Sequence, residues 1–510
     1  MQRSNSPLNR PFFQPLDRIA IGLMLILSLM IAGVLISGSH SAPRVRSFNW
    51  QDRQIGAEDT AFLLNFSRPM DHASVENNLR ITPPLPGKIS WAGRRMAYTL
   101  AVPAPYGTLY QLQLQGAQDR FLKSGDGRAT IQPYTGRFQS RDRAFVYIGV
   151  TGEEEGRLVL YNLSQQKKQI LTPKNLVVLD FKPYPLSDRV LFAATERQTQ
   201  AQGLLEQKLY MVTTGIAVYP PDAADAQPLP VGWPPHSQAP KPVEPGRVEL
   251  VLDSKGYQNL KFDLSPDGQT IVVQRVNRKD PADFGPWILK AGVAPQPLEG
   301  QPGGDFLITP DSNSLAISQG QGLAILPLQP NAEPLDFLPK FGMVLTFSRD
   351  GSTAAMVKFN TDYTRSLFLV NNQGLQKELL RTTGSILSAQ FDPTKQLLYC
   401  LLTTLIPGDT YREEPYLGVI QLKTSKLIPL LKLPSQRDIQ VSLAPDGLAI
   451  LFDQTVTNSQ DTHKPLQDST GKEIASSRLW LLPLVSLEGK GASIQPELLP
   501  LSGLHPRWLP

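Results

Sequence analysis

Short runs in which apolar and polar residues alternate, punctuated by Pro, Asp and Gly, fill nearly the whole chain. The stretch from Leu260 to Arg275, LKFDLSPDGQTIVVQR, shows the unit. Lys261 to Leu264 alternate, Ser265-Pro266-Asp267-Gly268 makes a turn, and Thr270 to Gln274 are mostly β-branched and apolar, a pattern that predicts strand, turn, strand. Pro266 presets φ for the first turn position, Asp267 can bond its own backbone, and Gly268 supplies the left-handed conformation a bulged hairpin requires. The apolar residue just before the turn recurs at Phe181, Leu264, Ile308, Phe347, Phe391 and Leu443, with a worn copy beginning at Phe138 (FQSRDRAFVYIGV). Neighbouring copies lie roughly 40 to 50 residues apart, the period of a four-stranded propeller blade. A third strand follows most pairs, as in GRLVLYNL from Gly156, SLFLVNN from Ser366 and RLWLLPL from Arg478.

Two segments depart from this rhythm. Ile19 to Ser37 is apolar and uncharged, and at about 1.5 Å per residue it reaches across a hydrocarbon core of roughly 30 Å. It predicts a transmembrane helix over 19–38 behind a cytoplasmic tail, 1–18. The competing reading is a signal peptide cut near Ser39 or Ser41, but the apolar run is longer than the usual signal core. Arg3, Arg10 and Arg18 are matched by Arg44, Arg46 and Arg53 across the span, so charge does not orient it. A short tail that stays inside and a long exported portion place 40–510 outside the cytoplasm. The second departure, 45–133, has strands at Ala61–Ser67, Arg80–Pro84 and Tyr110–Leu114 between Pro and Gly turns, which predicts a β-sandwich.

The SPDG turn followed by an apolar strand resembles the TolB-like (PD40, WD40-like) propeller repeat, and the array carries that resemblance over 134–510; the copies at Phe138 and Phe391 lack its Gly. It implies an all-β propeller of about seven blades. Trp508-Leu509-Pro510 stands in register with Leu264-Ser265-Pro266, so the terminal strand is expected to pair with the unit built from Arg143 to Pro173 and close the ring. The string Phe66-Ser67-Arg68-Pro69-Met70-Asp71, with Ser74-Val75, Ile81, Pro83-Pro84, Trp91 and Gly116 to Asp119, resembles the bacterial Ig-like domains of surface-layer proteins. Such domains act as spacers, which makes Trp91 a core residue and Asp71 a turn cap.

The chain has 510 residues, 41% of them hydrophobic, and a net charge of +5. This supports packed cores, and with basic residues scattered rather than clustered it gives no reason to expect nucleic acid. The single cysteine, Cys400, excludes an intramolecular disulfide framework. No nucleophile elbow, zinc helix, Walker loop or calcium loop occurs, so no catalytic residue, metal ligand or cofactor site is assigned. Long loops between second and third strands, at Arg275–Trp287, Leu405–Tyr416 and Gln454–Ser477, fall on the face opposite the turn motifs, whereas the proline-dense insertion 215–246 falls on the turn-motif face. Binding residues concentrate on variable loops held by a rigid scaffold, and aromatic and arginine side chains dominate recognition. Arg275, Trp287, Tyr411 and Arg412 are therefore the ligand-binding candidates. The expected function is a membrane-anchored, extracytoplasmic binding or scaffold module for an envelope protein or glycan. The alternative is an exported propeller hydrolase or lyase using Asp409, Arg412, Glu413 and Glu414 on glycans or peptides.

Overall fold

The computed structural model describes residues 15–36, 42–121, 129–198, 206–216, 243–298, 303–320, 322–329, 335–408, 410–436, 438–457, 466, 474–484 and 495–510. Most of 215–246 and of 458–473 therefore lies outside the described residues, as does Asp409. The first helix, α1, spans Pro15–Ile36, so it begins inside the segment read as a tail. Its side chains are described over 19–31, about 20 Å of helix, and among the described residues no helix is long and apolar enough to cross a membrane.

Two four-stranded sheets follow. One holds Val45–Phe48, Ala61–Phe66, Arg95–Leu100 and Gly87–Ala92; the other holds Gln54–Ile55, Tyr134–Ser140, Leu109–Leu114 and Leu79–Thr82. Alternation buries every second residue of Ala61–Phe66 and of Leu109–Leu114, so Phe62, Leu64 and Phe66 meet Tyr110, Leu112 and Leu114 in one core. A short helix, α2 (His72–Asn78), was not expected from the strand pattern. Asp71 caps it, its Oδ1 accepting from Ser74 N at 2.7 Å, the role of a short acidic side chain at a helix start. Trp91 is half-buried at the edge of the core: it stacks on His72 with ring centroids 4.2 Å apart and donates to Glu76 at 3.1 Å.

From Ala144 the described residues build seven four-stranded antiparallel sheets in succession, the topology of a β-propeller. The first holds Lys167–Ile170, Leu158–Asn162, Ala144–Gly149 and, from the far end of the chain, Gly503–Trp508. The others run from Leu176 to Leu252, Tyr257 to Pro297, Phe306 to Leu338, Met343 to Thr382, Ile386 to Lys432 and Val441 to Leu498. Gly503 pairs with Gly149 and Trp508 with Phe145, so the terminal strand closes the first sheet as the register predicted. One strand differs from the sequence reading. Tyr134–Ser140, with Phe138, was expected to open the propeller, yet it pairs with Leu109–Leu114 in the sandwich. The physical reason is that the edge of Ala144–Gly149 it would need is occupied by Gly503–Trp508, while Phe138 finds Tyr110 and Trp50 to pack against.

Six turns share two backbone hydrogen bonds, and four of them (at Ser265, Thr309, Ser348 and Ala444) add a third to the aspartate at the third position; Ser265–Thr270 shows all three. Ser265 N donates to Thr270 O, Gly268 N to Ser265 O, and Gln269 N to Asp267 Oδ1, at 2.8, 2.8 and 2.9 Å. The fourth position has positive φ in all six: Ser187, Gly268, Ser312, Gly351, Lys395 and Gly447. The two backbone bonds therefore survive at Lys395, where the motif lacks its Gly. Consecutive turns also touch. A Cβ on Gly447 would fall 2.8 Å from the Pro393 ring, and one on Gly268 3.1 Å from Pro185; Ser312 Oγ accepts from Asp267 N at 3.1 Å, Lys395 pairs with Asp350, and Ser187 Oγ donates to the Pro510 carbonyl at 2.9 Å. Pro and Gly thus recur because each turn is packed against the next as well as bent.

The sandwich sits against this ring of turns. Tyr106 N donates to Asp446 Oδ2 at 3.0 Å, Arg141 pairs with Glu58 and donates to the Pro510 carbonyl at 3.0 Å, and Arg349 lies 3.5 Å from Glu58. A cavity of about 660 Å³ remains between the two, bordered by Glu58, Lys182, Asp263, Arg349, Trp508 and Pro510.

Candidate functional site

The opposite face carries the loops between second and third strands. Between Thr353–Phe359 and Arg365–Asn371 the connection is only 360–364, and it is tightly tied. Asn360 N donates to Thr364 O at 2.9 Å, and the Asn360 carboxamide donates to Thr364 Oγ1 and Ser366 Oγ at 3.0 and 2.9 Å. Asp362 accepts from Thr364 Oγ1 at 2.6 Å and from Arg381 at 2.5 Å. This network holds Tyr363 at φ +62°, 92% exposed. A bulky side chain in the left-handed region is a genuine outlier, and such outliers persist where the surroundings over-determine them, often at ligand sites.

The neighbouring sheet supplies the other wall. Tyr411, 71% exposed, donates its hydroxyl to Glu413, which also accepts from Thr403 Oγ1 at 2.8 Å and Ser385 Oγ at 3.1 Å. Burial acts to raise the Glu413 carboxyl, but the hydrogen bonds from Tyr411, Thr403 and Ser385 outweigh it and hold the group below the ordinary glutamate value. Between the two walls lies a groove of about 510 Å³ whose lining includes Phe359, Tyr363, Arg365, Thr383, Leu405 and Tyr411. Arg365 is anchored in it, Nη1 donating to Gly384 O at 3.1 Å.

A carboxyl held low contributes stability that is complete above the unfolded-state value, about 4.3 for Glu, and is lost as pH falls through the lower folded value. Amide protection of Thr403 to Glu413, corrected for intrinsic exchange, should stay constant from neutral pH to about pH 5 and fall only in stronger acid. Loss of protection already near pH 6 would contradict this account of Glu413.

Of the four ligand-binding candidates, the structure places Tyr411 in the groove. Arg412 opens the next strand, Arg412–Gln421, where alternation turns it away from the Tyr411 and Glu413 side; its guanidinium lies 3.5 Å from Glu414 and it is not among the lining residues. Arg275 and Trp287 sit in the third sheet, remote in sequence and sheet from Tyr411. Arg275 lies between the rings of Tyr257 and Trp287, 4.7 and 4.9 Å from their centroids, and its Nε donates to Asn259 Oδ1 at 3.1 Å. It is only 5% exposed, so its cation is already taken by the protein. Sequence reasoning missed Phe359, Tyr363 and Arg365. The signal was available in FNTDYTR, an aromatic-bearing connection of the same class as the loops chosen, but a short one.

No protein-family model and no curated protein matches the chain. Solved structures similar to it include TolB from Acinetobacter baumannii, at 12% identity with 71% of this chain and 81% of that one covered and a TM-score of 0.38. Another is the hydrazine synthase of Kuenenia stuttgartiensis, at 10% identity, covering 63% and 95%, with a TM-score of 0.35. A third is prolyl oligopeptidase B from Galerina marginata, at 6% identity, covering 84% and 52%, with a TM-score of 0.42.

Proposed function

We propose that this chain is a membrane-anchored, extracytoplasmic binding module. In this reading α1 is the anchor, the sandwich is an Ig-like spacer, and the seven sheets are the blades of a closed TolB-like propeller that binds an envelope protein or glycan on its loop face. The observation that carries it is the groove rim: Phe359, Tyr363 and Tyr411 are 56%, 92% and 71% exposed around one concavity. Large aromatic side chains left in water around a cleft are the usual anchors of recognition. Glu413, held ionised, serves to orient Tyr411.

The anchor rests on two features. α1 runs from Pro15 to Ile36 and takes in the uncharged apolar run that begins at Ile19. Its described side chains, among them Ile19, Leu23 and Leu29 at 69%, 64% and 71% exposure, present apolar surface to the surroundings.

Binding is tested with the full chain in nanodiscs, incubated with solubilised envelope material. Tyr363→Ala combined with Tyr411→Ala should reduce capture roughly tenfold or more, with folding checked by circular dichroism. Retention of full capture by the double variant would remove the groove from the reading. The topology is tested separately: protease added to intact spheroplasts should digest the sandwich and the propeller. Protection in sealed cells with digestion after lysis would reverse the orientation.

A further inference from the structure

We infer that the groove between the fifth and sixth sheets takes an uncharged carbohydrate chain, an inference that rests on the groove being the binding site. Charge gives the first argument. Asp362 is paired with Arg381, Glu413 is saturated by the hydroxyls of Tyr411, Thr403 and Ser385, and Arg365 is turned onto the carbonyls of Thr383 and Gly384 at 3.4 and 3.1 Å. Both carboxylates at the groove are thus answered by the protein, and Arg365 is tied down through Nη1 on backbone carbonyls. A cationic ligand would have to displace these partners to reach a carboxylate, whereas a neutral ligand leaves them intact.

Shape and surface chemistry give the second. A pyranose has apolar C–H faces and hydroxyls around its edge, so it needs flat aromatic surface beneath it and neutral polar groups beside it. The lining supplies both: the Tyr363 and Tyr411 rings from two neighbouring sheets, with Phe359, and the neutral polar side chains of Asn360 and Thr383. Its volume of about 510 Å³ lies within the roughly 300–1,000 Å³ of small-molecule clefts. Tyr363 is also presented in advance. The Asn360–Thr364–Asp362 hydrogen bonds fix its backbone at φ +62°, so the ring is held out before any ligand arrives and little ordering is left for binding.

The Tyr411–Glu413 bond adds a prediction of detail. Because the hydroxyl is used to position the ring, Tyr411→Phe keeps the stacking face and loses only its tether, while Tyr411→Ala loses the face.

The experiment uses the full chain in nanodiscs and a panel of neutral oligosaccharides, the tetramers of the cello, malto and chito series, titrated by calorimetry. At least one series should bind, with an affinity that does not change with salt concentration, since no charge is neutralised. Tyr363→Ala and Tyr411→Ala should each weaken it roughly tenfold or more, and Tyr411→Phe by only a few-fold. Absence of binding by every series, or binding that falls steeply with salt, overturns the carbohydrate assignment. If no sugar binds while capture of envelope protein is still lost in the double alanine variant, the ligand class fails and the groove stands. If sugar binding or envelope capture is indifferent to both alanine variants, the groove itself fails.

Discussion

Truncation after Ser502 is expected to lower the melting temperature sharply and to make the propeller sensitive to protease. The segment 503–510 completes the first sheet, and Trp508 is 6% exposed, its ring edge-on to Phe145 at 5.6 Å within the cluster that joins the first and seventh sheets. The strand is also fastened by its backbone. His505 N donates to Asp453 Oδ2 and Trp508 N to Ser442 Oγ, at 2.8 and 3.1 Å. Replacing a buried Trp by Ala costs about 3–5 kcal/mol, so Trp508→Ala alone should reveal most of the packing term. Full truncation adds an open sheet edge beside Ala144–Gly149, with unpaired amides that invite association. Thermal melts and size-exclusion profiles of the two variants check this, and melting unchanged from wild type would refute the closure role.

The second large effect is expected from Asp446→Ala at the contact between sandwich and propeller. Only 1% of the Asp446 side chain is exposed; it accepts from Tyr106 N at 3.0 Å, from Arg143 at 3.4 Å and, within its own turn, from Leu448 N at 3.1 Å. Each hydrogen bond to a charged group contributes roughly 1.5–3 kcal/mol, and the donors left behind keep their desolvation penalty. The substitution should therefore loosen the sandwich from the ring while each unit keeps its own core. Calorimetry should resolve two transitions, and limited proteolysis should cut near 141–143. A single transition at the wild-type temperature with an unchanged digest would show that Asp446 does not couple the units. Asp446→Asn, which keeps one acceptor oxygen, should fall between.

The turn array was legible from sequence because its determinants are local: a proline presets the bend, and within a few residues of it a serine or threonine and an aspartate hydrogen-bond to each other and to nearby amides. Closure by Trp508 was legible for the same reason, through register with Leu264. What local pattern does not carry is the choice of partner strand. Tyr134–Ser140 reads as a strand in either setting, and only competition with a segment more than three hundred residues away sends it to the sandwich. α2 was missed because His72–Asn78 has one buried apolar residue, Val75, too few to show helical periodicity; its cap, Asp71, was visible as a cap without its helix. At the site, loop logic reached Tyr411. It also selected Arg275, whose type suits recognition but whose burial depends on Tyr257 and Asn259 in the adjoining strand. Tyr363 escaped because its prominence comes from backbone conformation.

The ring of turns also has a mechanical reading. Around the disc, Pro185 bears on Gly268, Asp267 holds Ser312, Asp350 holds Lys395 and Pro393 bears on Gly447, so an outward pull on any one turn is passed to its neighbours as hoop tension. The first sheet is built differently. There no hairpin joins the inner strand of the first sheet to its partner, and the hoop is spliced by Asp446, Arg143 and the strand ending at Trp508. By lying across that splice with Tyr106 and Arg141, the sandwich becomes a clasp over the missing hairpin of the first sheet, so any load that reaches the sandwich is delivered to the seam that closes the disc.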